Sequence, residues 1–131
     1  MKQSVFLRAV LVLAGLIGFS VGFGQLFFPV SFEASAGINL GTDTGLLSEI
    51  RGAGGSLLLS GILMIYGAFK PSFTSYALLL SAVLYLSYGV SRIYGFVMDG
   101  TPNQSFLIVT ITELVLGVIS WVLYRKSKVA E

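Results

Sequence analysis

Residues 105–124 read SFLIVTITELVLGVISWVLY, an apolar stretch interrupted by a single ionisable side chain, Glu113. At about 1.5 Å per residue, such a run crosses the roughly 30 Å of a bilayer's hydrocarbon as a helix. A membrane strand needs only about 10 residues and alternates in polarity, so length and pattern both favour helix here. Three further runs of this kind precede it, at about 5–28, 46–69 and 73–97. They end at Pro29, at Lys70-Pro71 and at Met98-Asp99-Gly100-Thr101-Pro102. The sequence therefore predicts an all-α integral membrane protein: a single transmembrane domain spanning 1–131, folded as an antiparallel bundle of four helices.

Composition agrees. Of 131 residues, 55% are hydrophobic and 11% charged, against roughly a quarter charged in soluble domains. A soluble chain of this length could not bury so much apolar surface. Sixteen glycines against three prolines suit membrane helices whose backbones approach closely. With no cysteine and no histidine, thiolate chemistry and the commonest metal ligand are both missing. No cofactor or metal is expected, and no basic footprint points to nucleic acid.

The one long connection, 30–45, carries Glu33, Asn39 and Asp43 and is expected to hold an interfacial segment. Lys70-Pro71-Ser72 is a tight turn that demands antiparallel neighbours. Gly100 is expected in a left-handed turn position, with Pro102 fixing φ beyond it. The triplet Ala34-Ser35-Ala36 looks like a signal-cleavage site. The preceding apolar run exceeds a signal core, however, and cleavage is not expected.

Charge placement sets an expected orientation. Lys2, Arg8, Lys70, Arg125, Lys126 and Lys128 fall on one side, with Glu131 opposing; Arg51 and Arg92 fall on the other, among Glu33, Asp43, Glu49, Asp99 and Glu113. The positive-inside rule then puts both termini in the cytoplasm of a bacterial inner membrane.

Ionisable groups near hydrocarbon need partners or a purpose. By helix rise, Arg51 and Arg92 lie roughly 7 Å deep and Glu113 roughly 12 Å deep. Ser81, Tyr85, Tyr88, Arg92 and Gly95 recur on one face of the third helix, and Thr110, Glu113, Gly117, Ser120 and Tyr124 on one face of the fourth. The expectation is an outer-half cluster of Arg51, Arg92 and Glu113, screened by Tyr85 and Tyr88, with Glu49 and Asp99 at its edge. Glu49 and Asp99 also read as solvated helix-end carboxylates. Gly15, Gly18 and Gly22 in the first helix, Gly52 and Gly55 in the second, and Gly117 in the fourth read as packing positions.

Three stretches together carry a resemblance: EIRGAGG at residues 49–55, Ser91-Arg92 with Asp99-Gly100-Thr101-Pro102, and Glu113 in the last helix. Over nearly its whole length the chain resembles the bacterial domain-of-unknown-function 4345 family of small four-helix membrane proteins. Where that family often has glycine before the second arginine, this chain has Ser91. A more distant likeness, to DoxX-like membrane proteins, rests on architecture. The resemblance implies membership and no biochemical role.

Function stays open among three classes. One is a module that binds a lipid, a quinone or a small amphiphilic anion, with the arginines as anion clamps. Another is a structural or accessory subunit, in a homo-oligomer or beside a partner membrane protein, whose ion pairs fix helix packing. The outsider is a proton-coupled carrier or an enzyme using Glu113. Without a nucleophile–base pair the sequence leans away from catalysis.

Overall fold

The computed structural model describes residues 3–130. Its secondary structure is helical, with no strand among the described residues: α1 Val5–Phe27, α2 Pro29–Ser35, α3 Thr44–Phe69, a 3-10 turn Pro71–Phe73, α4 Thr74–Asp99 and α5 Gln104–Ala130. Four of these helices, α1, α3, α4 and α5, are long and apolar enough to cross a membrane.

Local chemistry sets the boundaries. Ser4 caps α1 by accepting the Leu7 amide through its Oγ, satisfying one of the helix's orphan donors. Pro29 follows α1 and opens α2 at its first position, where a missing N–H costs nothing. Asp43 caps α3 by accepting from the amides of Gly45 and Leu46 at 2.9 and 3.1 Å. Gly100 ends α4 with φ 95° and ψ 165°. The positive φ is as expected; the ψ is extended rather than left-handed helical, which lets the chain leave toward Pro102.

The long helices pack mainly as two pairs, α1 on α3 and α4 on α5. Between α4 and α5, Ser75 meets Ser127 at 3.2 Å, Ser81 meets Ser120 at 2.7 Å and Arg92 meets Glu113 at 2.7 Å. As residue numbers rise along one helix, they fall along the other. The same holds for α1 and α3, where a side chain on Gly15 would strike Gly61 and Ile65, and one on Gly22 would strike Gly54 and Leu58. The pairs are joined at one end by Gln3, whose Nε2 donates to the Gly67 carbonyl at 2.8 Å and to Thr74 Oγ1. Deeper in, the Tyr85 hydroxyl donates to the Ala14 carbonyl.

A core of Leu7, Leu11, Ala14, Met64, Leu78 and Tyr85 runs between the helices. Phenylalanines such as Phe6, Phe19, Phe23 and Phe69 face outward. In lipid an apolar surface gains little by meeting another, so close backbone contact and interhelical hydrogen bonds carry the packing. The glycine contacts and the two serine pairs supply both.

Charge is segregated along the molecule. Arg8 donates from Nε to the Ala68 carbonyl at 3.2 Å, which puts it beside Lys70, while Ser75–Ser127 brings Arg125, Lys126 and Lys128 to the same end. Glu33, Asp43, Glu49 and Asp99 lie at the opposite end. Lys2 and Glu131, which enter the expected orientation, lie outside the described residues.

Candidate functional site

Arg92 and Glu113 form the centre of the site. Arg92 Nε donates to Glu113 Oε1 at 2.7 Å, and the two side chains are 29% and 10% exposed. The register of α4 against α5 that pairs Ser81 with Ser120 also brings these positions level. The guanidinium stands over the rings of Tyr88 and Phe106, 5.5 and 5.8 Å from their centroids. Two aromatic faces and a carboxylate thus surround the cation and replace part of its lost hydration.

Beside this pair lies a cavity of about 160 Å³. Its walls come from all four long helices: Ile17, Gly18, Val21 and Gln25 of α1; Leu57 of α3; Tyr85, Tyr88 and Arg92 of α4; and Ile108, Val109, Thr112 and Glu113 of α5. Most of this lining is apolar, and on the α5 side Ile108, Val109 and Thr112 are exposed. A dry cavity of about 150 Å³ holds a benzene-sized molecule. This one admits a single ring or a short length of acyl chain, not a whole lipid.

The polar wall residues are Gln25, Tyr85, Tyr88, Thr112 and the Arg92–Glu113 pair. Tyr85 is held by its bond to Ala14, and the Thr112 hydroxyl donates to the Ile108 carbonyl at 2.9 Å. Gln25 Nε2 donates to Glu33 Oε1 at 3.0 Å, while Gln25 Oε1 is buried with no hydrogen-bond partner among the described residues. Glu33 itself is 6% exposed. The short helix α2 folds its carboxylate back over the end of α1.

The remaining sequence-predicted residues lie elsewhere. Arg51 does not join Arg92 and Glu113. Its guanidinium donates to the Leu26 carbonyl, and it lines a separate, open cleft with Leu26, Thr44, Leu47, Ser48 and Gly52. Glu49 is exposed in the second turn of α3, and Asp99 is exposed at the last residue of α4. Asp99 borders a shallow cleft that reaches Arg92 from the other side.

The glycines divide similarly. A Cβ on Gly15, Gly22 or Gly117 would clash with the facing helix, and one on Gly18 would meet Leu57, Gly61 and Tyr85. Gly52 and Gly55 have nothing within 4 Å of such a Cβ. On α3 it is Gly54 and Gly61 that touch α1. Each residue turns a helix by about 100°, so a shift of one or two positions changes the face. The run Gly52-Ala53-Gly54-Gly55 offers small residues at every phase.

Glu33 belongs to the connection expected to hold an interfacial segment and Gln25 to the first apolar run; neither is among the expected site residues. The available signal was polarity: a glutamine inside an otherwise apolar span needs partners for its amide. Among the described residues no group of three or more acidic side chains converges as a metal site.

Four helices long and apolar enough to cross a membrane, two of them joined by an ion pair, mark a multi-span helical membrane protein. Residues 6–124 match the DUF4345 family, described as a domain of unknown function, and the chain belongs to that family. No curated protein matches the chain, and no solved structure does.

Proposed function

We propose that this protein binds a small amphiphile, a quinone or the ring or chain end of a lipid, in the cavity between α1 and α5. The observation that carries the reading is one apolar, ring-sized cavity with Arg92, Glu113, Gln25 and Tyr88 all on its wall. An apolar body with a few convergent polar groups is the common form of a small-molecule site. The exposed α5 wall gives an occupant a sideways route from the bilayer, and its tail would remain in lipid.

Arg92 is already neutralised by Glu113, so the cavity favours a neutral polar head over a free anion. Arg51, being on a different cleft, is no longer needed as a clamp. Around this site we place an antiparallel four-helix bundle in a bacterial inner membrane, with both termini cytoplasmic. The basic end formed by Arg8, Lys70, Arg125, Lys126 and Lys128 supports that orientation.

The test is solvent extraction and mass analysis of small molecules that co-purify from native membranes. Thr112→Trp fills the cavity from an exposed wall position and should lose the enriched compound, whereas Arg51→Ala should keep it. Equal profiles for wild type and Thr112→Trp would overturn the reading.

A second reading has its own support. The Arg92–Glu113 pair bridges α4 and α5, as expected of a subunit whose ion pair fixes helix packing, alone or beside a partner membrane protein. A polypeptide that co-purifies in fixed ratio, with no small molecule, would favour it.

A further inference from the structure

Two residues of the cavity wall hold hydrogen-bond donors that the fold leaves unused. A guanidinium offers several N–H groups, and Arg92 gives the one on Nε to Glu113 Oε1. The hydrogens on its Nη atoms have no acceptor among the described residues. The Tyr88 hydroxyl has none either; its ring lies beside that guanidinium, 5.5 Å from centroid to Cζ. The other wall hydroxyls are committed, Tyr85 to the Ala14 carbonyl and Thr112 to the Ile108 carbonyl. Among buried polar side-chain atoms of the described residues, only Gln25 Oε1 lacks a partner. The unused donors of Tyr88 and Arg92 are therefore not sealed in protein, and both residues line the cavity. Hydrocarbon supplies no water to satisfy such groups. An oxygen on the occupant can.

We infer that the cavity takes a ring bearing an acceptor oxygen, which the Tyr88 hydroxyl and an Arg92 Nη–H group hold together, in preference to a hydrocarbon of the same shape. The inference rests on the cavity being a binding site, as proposed above, and it narrows that reading to a quinone or aryl ketone instead of the chain end of a lipid. A phenol also falls within the class, since its oxygen accepts as well as donates and Glu113 Oε2 remains free to take its hydrogen. Glu113 and the ring of Tyr88 set the plane of the guanidinium before an occupant arrives. A donor on a charged group binds an oxygen more strongly than a neutral one does.

The experiment uses the full chain in lipid nanodiscs and a matched pair of probes. One is para-fluoroacetophenone; the other is para-fluoro-alpha-methylstyrene, in which a methylene replaces the carbonyl oxygen. Binding is read by fluorine NMR and corrected for partition into empty nanodiscs. The wild type should bind the ketone about tenfold more tightly than the alkene, the scale of one hydrogen bond to a charged or well-placed donor. Tyr88→Phe keeps the ring beside Arg92 and removes the hydroxyl. It should bind the alkene as the wild type does, which shows that it is folded, and its preference for the ketone should shrink. Should Tyr88→Phe bind neither probe, the wild type decides through ketone labelled at the carbonyl carbon, whose resonance should move downfield on binding as the oxygen accepts. Equal affinities in the wild type would overturn the inference and leave the cavity reading intact. So would a preference unchanged in Tyr88→Phe, or an unmoved carbonyl resonance where that measurement decides. Binding of neither probe by the wild type would overturn the cavity reading and this inference with it.

Discussion

Arg92 spends one N–H on Glu113 at 2.7 Å and lays its plane near two aromatic rings. Removing either partner leaves the other charge in a weakly solvating environment, which costs more than the pair contributes. Arg92→Ala and Glu113→Ala should each lower the melting temperature in detergent, and the double variant should lose less than the sum. The coupling expected for interhelical pairs in membranes is about 0.5–2 kcal/mol. Full additivity in that cycle would remove the case for direct pairing. The pair was legible in the sequence because both residues fall on polar faces of regular period. Arg51 was not placed so well: depth alone made it level with Arg92, and depth says nothing about which way a side chain points around the helix. Its actual partner, the Leu26 carbonyl, is a backbone atom and leaves no mark in composition.

At the scale of elements, the contact between α1 and α3 depends on glycines that face a backbone. A Cβ on Gly61 would lie 2.5 Å from both the Gly15 carbonyl oxygen and the Phe19 amide nitrogen, and neither of those atoms can move without its helix. Gly61→Ala should therefore destabilise by about 2 kcal/mol, within the usual range for overpacking. Gly52→Ala meets nothing within 4 Å and should be neutral or stabilising, by up to about 1 kcal/mol of helix propensity. Denaturation in mixed micelles would compare the two, and equal losses would contradict this division of roles. The four spans were readable because length and hydropathy are independent of rotation. The face of α3 was not, since Gly52, Gly54 and Gly55 are all small. Helix α2 was expected only as an interfacial segment, and its function of bringing Glu33 onto Gln25 is a tertiary contact that no local pattern encodes.

The whole molecule has a basic end, an acidic end and a cavity set toward the acidic one. Its orientation can be read chemically, because the chain has no cysteine of its own. Asn39→Cys, in the exposed loop between α2 and α3, should react in intact cells with a maleimide that cannot cross the membrane. Ser72→Cys, in the turn before α4, should react only after lysis; the reverse pattern would invert the topology. Within that orientation the cavity lies in the outer half, where an amphiphile can enter sideways from the bilayer.

The most direct measurement of the binding claim is native mass spectrometry of the protein released gently from its own membranes, beside Thr112→Trp prepared in the same way. The account predicts one small-molecule adduct per chain in the wild type, absent from a Thr112→Trp protein of unchanged helical content. A wild type at its bare chain mass, or an adduct that survives the filled cavity, would contradict it.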